Sequence, residues 1–237
     1  MCRNGSRPST TTTGIDSGLS LNAKSEITSQ NIVMNDGQRI SKNELTAVSN
    51  DTDDESKLNL LKTKYEGNIK IGTLNINSIA ALGKFEGLVT LINGNVDVLV
   101  ITETKLDSTF PNSQFFIPGY KPPYRLDRNR HGGGVMVYVK NHIPSTQLNT
   151  FSFQYDDKHG PIESIYVELR IKERKWLLIG CYHPPSQNNA FFVNSLTNAL
   201  DHFGKYAQFL IAGDLNMEEQ KNCLSEFLTV AHGIKNI

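Results

Sequence analysis

"VDVLVITET" (residues 96–104) sets Val98, Leu99, Val100 and Ile101 in a row, with Asp97 before them and Thr102-Glu103-Thr104 after. A strand with one wet face alternates apolar and polar side chains. An unbroken apolar run suits a strand covered on both faces. Upstream, "NIKIGTLNI" (68–76) reads as a strand ending near Asn75. "LGKFEGLVTLI" (82–92) then places Leu82, Phe85, Leu88, Val89 and Ile92 on one side of a helix. Downstream, "GGVMVYVK" (133–140), "IESIYVELR" (162–170) and "KWLLIGCY" (175–182) read as further strands. The middle one alternates less cleanly than a one-sided strand would. A helix over "NAFFVNSLTNALDHF" (189–203) precedes a last strand, "AQFLIAGD" (207–214). The order is βαβ, several strands, then α and β again. That predicts an α/β domain with a mixed sheet or two packed sheets.

Residues 1–66 read as a polar tail. "RPSTTTTGIDSGLSLNAKSEITSQN" (7–31) is rich in Ser, Thr and Asn, and "SNDTDDESK" (49–57) adds acidic charge. Such composition buries too little apolar area to offset ordering entropy, so a disordered segment is expected, with a short helix over "SKLNLLKTKY" (56–65). The folded domain is expected over 67–237.

The chain has 24 basic and 24 acidic residues, a formal net charge of zero. Bulk electrostatic wrapping of nucleic acid is thereby excluded, and any such contact must come from a local patch. Cys2, Cys181 and Cys223 form neither a disulfide framework nor a zinc knuckle. The first thirty residues carry no apolar signal core, and no stretch has membrane length. The expectation is an intracellular protein of nucleus or cytoplasm, without membrane or small-molecule cofactor.

Three apolar strands finish in residues of one kind: Asn75 with Asn77 beyond it, Thr102-Glu103-Thr104, and Asp214 with Asn216. Ligands gather outside the carboxyl ends of strands in α/β sheets, so these tips can share a cleft. Each is also an ordinary turn residue. Two carboxylates meeting there would repel unless a cation intervened, and oxygen donors without a His/Cys cluster favour magnesium or manganese over zinc.

"TLNINS" (73–78), "ITETKLD" (101–107), "RNRHGGGVMVYV" (128–139), "GCYHPP" (180–185) and "IAGDLN" (211–216) together resemble the endonuclease/exonuclease/phosphatase family. The resemblance is strongest to the endonuclease domain of non-LTR (LINE-type) retrotransposon polyproteins. It implies a four-layer α/β/β/α sandwich with two mixed β-sheets, and magnesium-dependent hydrolysis of a phosphodiester. By the same resemblance Glu103 is the principal metal ligand and Asn75 the amide beside it. Asp214 orients or activates the attacking water, while Asn216 and Tyr182 address the phosphate.

The family pattern continues to a strand bearing Ser-Asp-His, whose His and Asp form the general-base pair. "MEEQKNCLSEFLTVAHGIKNI" (217–237) reads instead as a helix, with His232 at a helix end. His183 does not occupy the base position, and His131 belongs to a turn before three glycines. The sequence therefore predicts a domain without its last strands, with weak or no activity by itself.

DNA is the substrate that the resemblance implies. "KPPYRLDRNR" (121–130) adds Lys121, Arg125, Arg128 and Arg130 against Asp127, with Tyr124 interleaved. Cations bind phosphates and an aromatic can wedge at a base, although the stretch also reads as a solvated loop. "HGGGV" (131–135) matches an esterase oxyanion loop, but no G-x-S-x-G elbow accompanies it. Two alternatives remain: a family phosphatase or exonuclease acting on inositol phosphates or RNA, and a non-catalytic fragment binding nucleic acid or protein.

Overall fold

The computed structural model describes residues 32–34, 56, 63, 67–92, 94–148, 162–206 and 208–217. Most of the polar tail and the segment after Met217 lie outside the described residues, including the expected helix at 217–237. Of "SKLNLLKTKY", only Ser56 and Thr63 are described, and both are helical.

One sheet runs in the order β1-β2-β3-β5-β4, formed by Ile32–Met34, Ile69–Asn75, Val98–Thr102, Val135–Val139 and Tyr124–Leu126 respectively. The β2–β3 pair is parallel and the other three pairs antiparallel. The second sheet, β6-β7-β8-β9, comprises Ser145–Gln147, Glu163–Ile171, Arg174–Tyr182 and Gln208–Asp214. There β8–β9 is parallel and the other two pairs antiparallel. Helix α1 (Lys84–Ile92) and helix α2 (Asn189–His202) cover the outer faces.

Three buried clusters define four layers. Val98, Val100, Val135, Val137, Val167, Leu169, Leu178 and Leu210 pack between the sheets. Leu99, Ile101, Met136 and Tyr138 point outward, where Leu88 and Ile92 of α1 meet them. Tyr166, Leu177, Ile179 and Cys181 face Phe192, Leu196, Ala199 and Leu200 of α2. The apolar run of β3 thus divides its side chains between two cores. The weak alternation of β7 has the same cause, with Val167 on the inner face and Tyr166 on the outer. The result is an α/β/β/α sandwich of two mixed sheets, as expected.

Three strands escaped the sequence reading. β1 lies inside the stretch read as a polar tail and adds antiparallel to the edge of β2. β4 lies inside "KPPYRLDRNR", read as a loop, and β6 joins the edge of β7. Each has only three residues, too few to display a period, and each is specified by the edge it joins.

Candidate active site

Each sheet contributes one parallel pair, and both pairs deliver their carboxyl ends to the same crevice. Asn75 is opposite Thr102 in β2–β3, and Tyr182 is opposite Asp214 in β8–β9. Across the crevice, the Asn75 amide Nδ2 donates to Glu103 Oε1 at 3.0 Å and to Asp214 Oδ2 at 2.8 Å. The Tyr182 hydroxyl donates to Glu103 Oε1 at 3.0 Å. Asn75 Oδ1 accepts the Asn77 N–H at 3.1 Å, which fixes the amide so that its nitrogen faces the carboxylates. Asn75, Glu103, Tyr182 and Asp214 therefore form one bonded network. Asn216 stands beside it, its N–H 3.3 Å from Asp214 Oδ1 and its Nδ2 donating to the His183 carbonyl at 2.8 Å.

The backbone at these tips is held in costly conformations. Asn77, Ser78, Glu103, Lys105 and Asn216 all have positive φ, at 45°, 81°, 52°, 53° and 43°. Such a geometry in a non-glycine residue costs on the order of 1–3 kcal/mol and persists only where its surroundings over-determine it. For Glu103 the surroundings are explicit. Its carbonyl accepts the Ser78 N–H at 2.8 Å, and Thr104 and Lys105 donate to Gly134 and Gly133 carbonyls at 3.3 and 2.9 Å. The glycine run of "HGGGV" is thus a brace for the Glu103 turn. Gly134 has φ +92°, a conformation that side chains rarely adopt, and a Cβ there would stand 2.3 Å from Thr104 Oγ1, so a side chain would be strained and would displace the buried Thr104 hydroxyl.

Two carboxylates share one neutral amide, and Lys105 Nζ lies 3.7 Å from Glu103 Oε2. Burial, the hydrogen bond to Glu103 and the charges of Glu103, Asp214 and Glu163 together raise the Tyr182 phenol well above its ordinary range. Tyr182 accordingly remains a hydroxyl donor. Burial pushes the neighbouring Cys181 thiol up to about 12, which keeps it an inert core group.

Among the described residues, no three His, Cys, Asp or Glu side chains gather closely enough to form a metal cage. The donor set still fits a small hard cation. Magnesium is commonly held by one or two carboxylates and keeps several waters, and the pair Glu103 and Asp214 meets that need.

Sequence reasoning gave no role to Lys105 or Glu163, and it set His183 aside as a base without finding another role for it. Glu163 is 3% exposed, pairs with Arg128 at 2.8 Å and accepts the Gly134 N–H. An acid heading a strand buried on both faces was its visible signal. His131 sits, as read, in the turn before β5, with its N–H on Asn129 Oδ1 at 2.9 Å.

The basic stretch is largely engaged within the protein. The Arg125 guanidinium reaches both Asp127 oxygens at 3.1 and 2.6 Å, the Phe110 carbonyl at 2.7 Å and Asn112 Oδ1 at 2.9 Å. Arg130 holds Asp107 at 2.7 Å and Thr109 at 2.6 Å. Hydrogen bonds from Thr109, with a smaller part from Arg130, bring the Asp107 carboxyl down to about 2. Lys121 donates to Ser145 Oγ at 2.8 Å, and the Tyr124 hydroxyl donates to the Ser145 carbonyl at 3.0 Å. Arg128 keeps 41% side-chain exposure and Arg130 57%, whereas Arg125 has 9%. Arg125→Ala is expected to lower stability by about 2–4 kcal/mol in urea unfolding, because it strands Asp127 and three other acceptors, the Phe110 and Asp107 carbonyls and Asn112 Oδ1.

Residues 72–221 match the model of the Endonuclease/Exonuclease/phosphatase family. The chain belongs to this family. Its members generally use a divalent metal ion. No curated protein matches the sequence. Among solved structures, the chain is similar to AP endonuclease LMAP from Leishmania major, at 21% identity and TM-score 0.48, covering 65% of this chain and 56% of that one. It is similar to the endonuclease domain of TRAS1, a telomere-specific non-LTR retrotransposon, at 12% identity and TM-score 0.49, covering 68% and 69%. A third is the 3' phosphatase NExo from Neisseria bound to product DNA hairpin, at 19% identity and TM-score 0.45, covering 63% and 58%. The chain therefore spans little more than half of two of these proteins. Among the described residues no helix is long and apolar enough to cross a membrane.

Proposed function

We propose that this family member hydrolyses phosphodiester bonds in DNA, nicking a strand as a retrotransposon-type endonuclease domain with bound magnesium. The observation that carries the reading is the Asn75 amide joining Glu103 and Asp214 across the two sheets. Glu103 would hold the metal, with the Asn75 amide beside it. A bound magnesium or manganese ion supplies charge stabilisation at the phosphoryl transition state and at the leaving oxygen.

The chain's own groups account for the remaining roles. Asp214, its carboxylate oriented by Asn75 and the Asn216 N–H, positions a water and accepts a proton from it. Asn216 Nδ2, which spends one of its two hydrogens on the His183 carbonyl, and the Tyr182 hydroxyl, once a metal ion takes its place at Glu103, are neutral donors suited to phosphate oxygens on which negative charge builds. Among the described residues, the hydrogen bonds to Asp214's carboxylate come from Asn75 and Asn216, not from an imidazole. Arg128 and Arg130, paired with Glu163 and Asp107 but more exposed than Arg125, are the cations of this stretch that would meet DNA phosphates.

Supercoiled plasmid, single-stranded RNA and a phosphorylated inositol, each with magnesium, form the test. Plasmid nicking is expected, lowered about 10²-fold by Asn216→Ala. Turnover of the inositol phosphate or RNA without nicking would sink the DNA reading, and inactivity on all three would leave a binding fragment. Arg128→Ala should weaken DNA binding and reduce the salt slope by about one, while Arg125→Ala leaves that slope unchanged.

A further inference from the structure

His183 follows β8 directly, is 1% exposed, and has no part in the chemistry above. It nevertheless engages three successive residues at the tip of β9. Its N–H donates to the Asp214 carbonyl at 2.9 Å. Its ring Nδ1 lies 2.7 Å from the Leu215 carbonyl, and its own carbonyl accepts Asn216 Nδ2 at 2.8 Å. The ring is fixed in turn. Nε2 lies 3.1 Å from the Gln187 carbonyl, and the ring plane stacks on Phe192 of α2, with centroids 4.5 Å apart and planes at 27°.

Each ring nitrogen faces a main-chain carbonyl, and an uncharged imidazole has one N–H to donate; the shorter contact, to Leu215, assigns it to Nδ1. Such a ring acts on backbone geometry, because nothing in that arrangement addresses the reacting groups. The backbone it holds is the one with a problem to solve. Asn216 is exposed at φ 43°, and its other bond, from its N–H to Asp214 Oδ1, is 3.3 Å long. The two outer contacts of His183 are main-chain groups that any residue would bring. Only the ring contact to Leu215 depends on the side chain. It pins the middle of the turn to the rigid α2 layer.

We propose that His183 is a positioning residue that clamps the Asp214-Leu215-Asn216 turn and so sets the distance and direction of Asp214 and Asn216 relative to the phosphate. This rests on reading the site as a phosphodiesterase. Misplacement by about 1 Å costs on the order of 10²-fold in such sites, so the clamp acts on turnover more than on binding.

Three substitutions separate the ring's contributions. His183→Phe keeps the stack on Phe192 and removes the donor. His183→Asn places an N–H where Nδ1 stands, and His183→Gln places it where Nε2 stands. In 15N-labelled protein without substrate, His183→Phe should speed hydrogen exchange at the Asn216 amide by at least about tenfold, with Val135–Val139 amides unchanged. Plasmid nicking should lose about 30-fold in kcat with KM within about twofold. His183→Asn should restore both readouts and His183→Gln neither. Unchanged exchange at Asn216 in a folded His183→Phe chain overturns the proposal. If His183→Phe does not fold, equal behaviour of the Asn and Gln variants overturns it. If the wild-type chain nicks no DNA, the hydrolase reading falls, while the exchange comparison still decides the clamp.

Discussion

Glu103→Gln is expected to reduce magnesium-dependent nicking by about 10³-fold or more and to remove stabilisation by magnesium, while the folded state survives. The side chain is partly exposed at a strand tip, outside the three packed clusters. Glutamine has the same shape and can still accept hydrogen bonds from Asn75 and Tyr182. What it lacks is the charge, and a metal held chiefly by one carboxylate loses several kcal/mol of transition-state stabilisation with it. A thermal scan gives a readout without turnover. Magnesium should raise the wild-type midpoint according to its occupancy and leave the variant unmoved. Equal magnesium shifts in both proteins would remove Glu103 from the metal site. Without magnesium, the variant should match or slightly exceed wild type, because Glu103 and Asp214 no longer repel one another across Asn75.

The scaffold was readable from sequence wherever a residue's surroundings are set by its own strand. Val98 to Ile101 are apolar on both faces because one face meets the second sheet and the other meets α1, and that demand is written into consecutive letters. β1, β4 and β6 were illegible because a three-residue edge strand is specified by its neighbour. The same division runs through the site. Asn75, Glu103, Tyr182, Asp214 and Asn216 could be singled out as polar groups at strand ends and by family likeness. That one Asn75 nitrogen bonds carboxylates from both sheets is a tertiary fact, with Asp214 139 positions along the chain from Asn75. Glu163 and His183 were passed over because what they support, the glycine brace and the β9 turn, exists only after folding. In the basic stretch, the sequence shows the charges but not the partners that engage them. Arg125 looks like its neighbours in sequence, but its guanidinium is tied into the protein by Asp127, Phe110 and Asn112.

Gly213→Ala is expected to destabilise the chain by about 4 kcal/mol or more, the range reached only when something packed must break. Gly213 has φ +141°, a conformation that side chains rarely adopt, and a Cβ there would stand 1.8 Å from the Cys181 carbonyl oxygen. The obstruction is main chain of the adjoining strand, with the Cys181 carbonyl carbon and nitrogen at 2.9 and 3.1 Å, so no side-chain rotation can relieve it. Cys181 is the register partner of Gly213, and the next pair along is Tyr182 with Asp214. Admitting a methyl group therefore parts β8 from β9 just where two site residues are set against each other. Urea unfolding should show the midpoint falling with little change in slope. Nicking should fall even at temperatures where the variant is folded, and added magnesium should not restore the lost stability. A loss below about 1 kcal/mol would mean that the ladder yields easily, and that the spacing of Tyr182 and Asp214 does not depend on this contact. Glu103→Gln and Gly213→Ala thus fail in opposite ways, the first in its response to magnesium with the fold intact, the second in the fold whether or not magnesium is present.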